Sequence, residues 1–160
     1  MKKRILITGS NGLLGQKLVD LLRKQSSVEL IATARGNNRL PETEGYTYAS
    51  LDITAQEEVL AIFDQFKPHV VIHTAAMTNV DTCETDRAGC DLLNVDAVAF
   101  LIKACEKHDS YLCHLSTDFI FDGADGPYTE EGVPNPISYY GESKLKAERL
   151  LFDSSVRWSI

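Results

Sequence analysis

The chain has 160 residues, 44% of them hydrophobic, which is typical of a single globular domain with a substantial core. Its formal net charge of -7 argues against a nucleic-acid scaffold, because neutralising phosphates requires clustered Lys and Arg, which this chain lacks. No apolar run approaches the roughly 20 residues of a membrane span, and the N-terminal residues lead into a strand without a signal-peptide core. We therefore expect a cytoplasmic protein that binds neither nucleic acid nor membranes.

The stretch from Arg4 to Leu22 predicts a buried strand, a glycine-rich turn and an amphipathic helix. Gly9, Gly12 and Gly15 fall where the strand becomes the helix, with the spacing G-x-x-G-x-x-G. Glycines in this context let the backbone approach a pyrophosphate at the positive end of the helix. We interpret the turn as a nucleotide-binding site; a tight turn without a ligand is the alternative.

The rest of the chain alternates between predicted strands and helices. The predicted strands are Glu29–Ala34, Tyr46–Leu51, His69–Thr74, Tyr111–Leu115 and a sixth that begins at Arg157. One predicted helix starts at a capping box, Thr54 to Glu57, a second spans Leu92–Lys107, and the last begins at Pro136. The segment Asn79–Asp91 is predicted to be a polar loop. This alternation predicts an α/β fold with a doubly wound parallel sheet, a Rossmann fold with helices on both faces, as one domain over residues 1–160.

The second predicted strand ends where the cofactor would be selected. An acidic residue here would bind the 2'-hydroxyl of NAD, whereas Arg35, with Arg39 close behind, suits the 2'-phosphate of NADP. Arg35 as a solvated loop charge is the alternative. Asp52, after the third strand, either accepts a hydrogen bond from an adenine amino group or only braces its turn. The sequence thus favours NADPH and leaves NADH open.

Small residues follow the fourth strand, where Ala75 and Ala76 leave room for a ligand against the backbone. Asn94, further along, is either a plain amide at the edge of the core or a residue that braces the backbone beneath a site. No metal site is predicted, since neither His69 nor His73 has a carboxylate or Cys beside it at ligand spacing. The four cysteines form no CxxC pair and are interpreted as packing thiols: Cys83, Cys90, Cys105 and Cys113.

Tyr140 and Lys144 lie four residues apart in the last predicted helix, so they share one face. A nearby ammonium favours phenolate, and we therefore expect Lys144 to lower the pKa of Tyr140 towards neutral pH. Thr117, just after the fifth strand, offers a hydroxyl that would hold a carbonyl oxygen beside Tyr140. The pair alone is common; its order after the glycine turn and Thr117 makes it informative.

The segments TGSNGLLG, HTAAMTNVD, STDFIFDG and YYGESK occur in an order that resembles the extended short-chain dehydrogenase/reductases, over nearly the whole chain. The resemblance implies that Thr117, Tyr140 and Lys144 are catalytic, and that Thr117, Asp118 and Phe119 lie beside a substrate sugar. It also implies a cofactor site formed by Gly9, Asn11, Gly12, Leu13, Gly15, Arg35, Asp52, Ile53, Ala75, Ala76, Thr78, Tyr140 and Lys144.

The implied reaction is the NADPH-dependent reduction of a C4 ketone on a nucleotide-linked 6-deoxyhexose, a step towards cell-surface polysaccharide. An epimerase or dehydratase of the same family stays open, as does a non-catalytic NADP-binding regulator similar to the methionine adenosyltransferase beta subunit. The implied partner is a nucleotide sugar, and a homodimer stays open. Since such relatives use a C-terminal part to bind substrate, we expect a truncated chain, cut within the sixth strand, that binds cofactor without turnover.

Overall fold

Six parallel strands form a single sheet in the computed structural model, which describes residues 2–160. The strands are β1 (Lys3–Thr8), β2 (Val28–Ala34), β3 (Thr47–Ser50), β4 (Val70–His73), β5 (Tyr111–His114) and β6 (Arg157–Ser159). Their order is β3-β2-β1-β4-β5-β6, so the chain first moves outward from β1 and then returns to its other side. The predicted doubly wound sheet is confirmed. The carboxyl ends of β1 and β4 border the crevice where such sheets bind ligands.

Helices cover both faces of this sheet, as predicted. The α-helices are α1 (Leu13–Leu22), α2 (Gln56–Phe66), α3 (Val80–Thr85), α4 (Arg87–Asp91), α5 (Ala97–His108) and α6 (Tyr139–Phe152). Helix α1 packs Val19 against Ile7 on one face. Helices α2, α5 and α6 bury Phe63, Leu101 and Leu151 in a larger core on the other face.

The strands show why the sheet is buried on both sides. Successive side chains of a strand point to opposite faces. Leu6 accordingly joins the larger core while Ile7 joins the smaller one, and both are fully buried. Strand β2 repeats this division with Ile31 and Leu30. Central strands whose side chains are apolar on both faces are typical of a parallel sheet between two helical layers.

Two of the predicted helix starts are wrong. Helix α2 begins after Ala55 without a side-chain cap, because the Thr54 hydroxyl instead donates to Oδ1 of Asp52 at 2.7 Å. Helix α6 begins at Tyr139 and not at Pro136, since the Ser138 hydroxyl accepts a hydrogen bond from the backbone N–H of Gly141. Thr54 is thus unavailable to cap α2, whereas Ser138 caps α6.

The predicted polar loop Asn79–Asp91 is also wrong, because it contains helices α3 and α4. Asn79 and Asp86 cap them by accepting hydrogen bonds from the backbone N–H groups of Thr82 and Gly89, at 2.8 and 2.9 Å. The predicted helix Leu92–Lys107 starts with a π-helical turn, Leu92–Asp96, before α5. Within residues 2–160, none of the helices is both long enough and apolar enough to cross a membrane.

Candidate active site

The glycine turn after β1 brings backbone atoms of distant segments into contact. Gly9 has φ +74°, and a Cβ atom there would lie 2.7 Å from the backbone nitrogen of Ala75. A Cβ atom on Gly15 would collide with the carbonyl oxygen of Gly9, so α1 packs directly on the turn. Gly12 caps α1 without a side chain, and the first turn of α1 holds no acidic residue. These features fit the close approach of a diphosphate to the helix N-terminus.

A groove of about 500 Å³ runs along the carboxyl ends of the strands, in front of this turn. Its lining includes ten of the residues predicted for the cofactor: Gly9, Gly12, Leu13, Gly15, Arg35, Asp52, Ile53, Ala75, Ala76 and Thr78. Sequence reasoning missed five lining residues, namely Leu14, Ala34, Leu51, Thr74 and Leu93. They are apolar or small residues of the kind that also fill cores, so their types gave no signal.

Asn11, also predicted for the cofactor site, does not line this groove. Its amide donates a hydrogen bond to the carbonyl oxygen of Asn37 at 2.9 Å and accepts one from the backbone N–H of Arg39 at 3.0 Å. Asn11 therefore ties the glycine turn to the loop after β2. That loop carries Arg35, whose conformation the sequence left open.

Arg35 and Asp52 face each other across the groove wall. The guanidinium nitrogen of Arg35 lies 3.9 Å from the Asp52 carboxylate, and the Arg35 side chain is 81% exposed. Asp52 also accepts hydrogen bonds from the backbone N–H and hydroxyl of Thr54, which hold its pKa below the ordinary value. Asp52 braces its turn through these contacts, and its predicted hydrogen bond to an adenine amino group stays a prediction, as does the pairing of Arg35 with a 2'-phosphate.

Asn94 braces the backbone beneath the groove, which decides between its two interpretations. The buried amide accepts a hydrogen bond from the backbone N–H of Met77 at 2.8 Å and donates one to the Met77 carbonyl oxygen at 3.0 Å. It also donates to the hydroxyl of Ser143, in α6, at 3.0 Å. Asn94 therefore connects the segment after β4 to the helix that carries Tyr140 and Lys144.

Tyr140 lies in the first turn of α6, with the ring of Phe119 edge-on at 5.8 Å between centroids. Burial raises the pKa of Tyr140 above its ordinary value, and hydrogen bonding to Thr117 opposes this rise. The prediction that Lys144 lowers the pKa of Tyr140 is therefore wrong for this arrangement. Tyr140 is protonated at neutral pH, which suits a proton donor.

Lys144 is buried and points into the sheet edge, outside the groove lining. Its ammonium donates to the carbonyl oxygen of Leu115 at 2.6 Å and lies 3.2 Å from Nε2 of His114. Burial lowers the pKa of Lys144 to about 8, and the nearby Glu148 carboxylate opposes this effect. Lys144 shares a helix face with Tyr140, but its polar end goes to β5.

The residues predicted beside a substrate follow β5. The Thr117 hydroxyl accepts a hydrogen bond from the backbone N–H of Phe119 at 3.2 Å, which caps a short 3₁₀ turn, Asp118–Ile120. Asp118 and Phe119 are exposed on this turn. Tyr140 therefore contacts both Phe119 and Thr117. That Thr117, Asp118 and Phe119 lie beside a substrate stays a prediction.

No group of three potential metal ligands occurs among residues 2–160. His69 lies at the opposite end of β4 from His73 and accepts a hydrogen bond from the backbone N–H of Arg4 at 2.9 Å. All four cysteines are free, and three of them are buried.

A family model described as RmlD substrate binding domain matches residues 2–160. The chain belongs to this family. The resemblance to the extended short-chain dehydrogenase/reductases is thereby confirmed. The RmlD-family chain is 38% identical to the dTDP-4-dehydrorhamnose reductase of Aggregatibacter actinomycetemcomitans over 153 residues, which are 95% of this chain and 48% of that protein. It is 35% identical to methionine adenosyltransferase 2 subunit beta of Xenopus tropicalis over 153 residues, 96% of this chain and 44% of that protein. The RmlD-family chain thus spans about half the length of these curated relatives.

Two similar solved structures carry a nicotinamide cofactor. The dTDP-4-dehydrorhamnose reductase of Bacillus anthracis, in complex with NADP, is 31% identical with a TM-score of 0.79. The Bordetella bronchiseptica enzyme WbmG, in complex with NAD, is 28% identical with a TM-score of 0.88. In both comparisons the match covers 99% of the RmlD-family chain and 52% of the solved chain. Structural relatives of this chain therefore include one with each cofactor.

Proposed function

We propose that the protein is an NADPH-dependent reductase of the C4 ketone on a nucleotide-linked 6-deoxyhexose, converting dTDP-4-dehydrorhamnose to dTDP-rhamnose. The observation that carries this proposal is the physical link between the two halves of the site. Asn94 joins the segment after β4, which lines the groove, to Ser143, one residue before Lys144. A groove for a dinucleotide and a tyrosine proton donor thus belong to one rigid constellation.

The cofactor part of the proposal is supported by the tight glycine turn in front of the groove, where side chains at Gly9 and Gly15 would collide with neighbouring backbone atoms. Arg35, largely exposed beside the groove, favours NADPH because a guanidinium pairs with a 2'-phosphate. When bound, NADPH supplies the hydride that the ketone carbon receives.

The reaction needs one proton for the ketone oxygen, and Tyr140 would donate it. The pKa of Tyr140, raised above its ordinary value by burial, keeps the phenol protonated before the reaction, as a proton donor requires. The Thr117 hydroxyl would hold the ketone oxygen beside the phenol. The Lys144 ammonium would bind the nicotinamide ribose.

The substrate assignment is supported by the 38% identity to a dTDP-4-dehydrorhamnose reductase and by Asp118 and Phe119 beside Tyr140. The product would be a precursor of cell-surface polysaccharide. We place the reaction in the cytoplasm, with a homodimer as the assembly to test.

The test measures NADPH oxidation by the full-length protein when it is supplied with dTDP-6-deoxy-L-lyxo-4-hexulose. We expect stoichiometric loss of NADPH, reduced about 100-fold to 10,000-fold in Tyr140→Phe because the proton donor is gone. Tyr139→Phe is the matched control, since its hydroxyl donates to Asp91 at 2.6 Å and lies outside the candidate site. Equal turnover in Tyr140→Phe and the unchanged protein would refute the role of Tyr140.

A regulatory function is the second candidate, because the chain is 35% identical to a methionine adenosyltransferase subunit beta. Tight NADPH binding without oxidation would favour this function, or an epimerase or dehydratase acting on another sugar. Product analysis separates the latter, because an epimerase returns the hydride and consumes no NADPH overall.

A further inference from the structure

A row of buried polar side chains crosses the carboxyl edge of the sheet. Thr8, His73 and His114 occupy paired register positions on β1, β4 and β5, so all three point to the same face. Two residues earlier, the same face carries the apolar residues Leu6, Val71 and Leu112. The polar row therefore interrupts an otherwise apolar layer at the sheet edge where the candidate site lies.

The three side chains are held in a fixed arrangement. Oγ1 of Thr8 lies 2.7 Å from Nδ1 of His73, a hydrogen bond that sets the orientation of this imidazole. The ring of His73 stacks on that of His114, with 5.4 Å between centroids and 24° between planes. His114 then reaches Lys144 through Nε2 at 3.2 Å. The row thus ends on a residue of the proposed catalytic set.

We propose that His114 is a positioning residue that aims the Lys144 ammonium. An ammonium has three N–H donors. One goes to the carbonyl oxygen of Leu115, and Nε2 of His114 accepts the second. Two fixed acceptors stop rotation about the last side-chain bond, so they also fix the direction of the third N–H. The function proposed above assigns this N–H to the cofactor ribose, so the role of His114 rests on that function.

The other nitrogen of His114 supports this role. Nδ1 is buried and has no hydrogen-bond partner among the described residues. An unpaired buried polar atom costs free energy that an apolar side chain would avoid. The imidazole is therefore not explained by stability, whereas its second nitrogen contacts Lys144.

Three titratable groups face Lys144 or its partner: His114 from β5, His73 from β4 and Glu148 from α6. Burial lowers the pKa of His73 to about 3 and that of His114 to about 2, so both rings are neutral near neutral pH. A neutral ring accepts a hydrogen bond from the ammonium without repelling its charge. Losing this acceptor would destabilise the charged form of Lys144.

The first measurement follows the ionisation of Lys144 in the 160-residue chain by ¹³C NMR of its side chain against pH, with Lys144→Arg to assign the signal. In His114→Leu, which removes the acceptor, we expect the pKa of Lys144 to fall by about one pH unit or more, a tenfold change in its ionisation constant. His69→Leu is the matched control at the far end of β4 and should leave this pKa unchanged. An unchanged Lys144 pKa in His114→Leu would overturn the role of His114.

Two further variants keep the test decisive if His114→Leu does not fold. The amide of His114→Gln reaches the position of Nε2 and should retain the ionisation of Lys144, whereas the shorter amide of His114→Asn should not. Equal behaviour of the two variants would refute the positioning role.

The second measurement is the pH profile of kcat and of KM for NADPH in the expressed protein. We expect the alkaline limb to move to lower pH in His114→Leu and to return in His114→Gln, a shift that a loss of folded protein would not produce. A shifted Lys144 pKa without any NADPH oxidation would show that His114 holds the ammonium, but it would refute the proposed function and with it the use of Lys144 towards a cofactor. NADPH oxidation with an unshifted Lys144 pKa would support the proposed function and refute the role of His114.

Discussion

Replacing Gly9 by Ala tests whether glycine is required at this position by steric contact with Ala75 as well as by its backbone conformation. With φ +74°, an alanine at position 9 pays the left-handed backbone cost of about 1–2 kcal/mol. Its Cβ would also lie 2.7 Å from the nitrogen and 2.8 Å from the Cα of Ala75. Overpacking of this kind adds about 1–3 kcal/mol. The free energy of unfolding should therefore fall by about 2–5 kcal/mol.

The backbone against which the new Cβ would press has little freedom to move. The backbone N–H of Thr74 donates to the carbonyl oxygen of Thr8 at 3.2 Å, and the Thr74 hydroxyl donates to the same oxygen at 2.7 Å. Relieving the contact at Ala75 would stretch these bonds between β1 and the segment after β4. We therefore expect the cost to remain largely unrelieved.

Gly123→Ala is the matched control, because Gly123 has φ +78° and no heavy atom within 4 Å of an added Cβ. It should lose only the conformational part, about 1–2 kcal/mol. Urea unfolding of the 160-residue chain measures both variants, compared at equal m-value. If Gly9→Ala and Gly123→Ala lose the same stability, the contact with Ala75 does not constrain the turn and our reasoning fails.

Two other predictions concern cofactor choice and pH. Arg35→Ala should weaken NADPH binding about tenfold and leave NADH binding unchanged, because one exposed charge-assisted pair with a phosphate is lost. Fluorescence titration measures both affinities. The control is Arg87→Ala, which replaces an exposed arginine paired with Glu84. The unfolding free energy should fall by about 3 kcal/mol between pH 6.5 and pH 5, since His73 and His114 stay neutral when folded but take up protons when unfolded. Urea unfolding at both pH values tests this, and equal stability would contradict the burial of the two rings as neutral groups.

Local patterns in the sequence were sufficient to predict the sheet and the glycine turn. The apolar run Ile5–Ile7 and the glycines after it specify a strand, a turn and a helix within a few residues, so neighbours along the chain carry the information. Seven of the ten predicted groove-lining residues followed from this unit and from the ends of the next strands, whereas Leu13, Ile53 and Thr78 followed only from the family resemblance. Helices α3 and α4 escaped prediction because their caps, Asn79 and Asp86, made the segment look like a polar loop.

The orientations of the site side chains required the folded structure. The spacing of Tyr140 and Lys144 on one helix predicts a shared face, but not that Lys144 would turn to His114 and Leu115. Asn94 contacts Ser143, 49 residues away, and no local pattern reports such a partner. Contacts across strands decide these orientations, and a single sequence holds no direct record of them.

The sheet edge combines two different ways of building a site. Around Gly9 the turn is built of glycines without side chains, so backbone atoms and the N-terminus of α1 are left to face a ligand. Around Lys144 the chain instead buries polar side chains that hold one another, at a cost in desolvation that the hydrogen bonds to Leu115 and His114 partly offset. A diphosphate is recognised by many weak backbone donors, whereas a proton-transfer site needs one side chain in one direction. The glycine turn can therefore be predicted from the sequence, because the glycines themselves mark it. The arrangement around Lys144 can be recognised only in the folded structure, which brings its hydrogen-bond partners together.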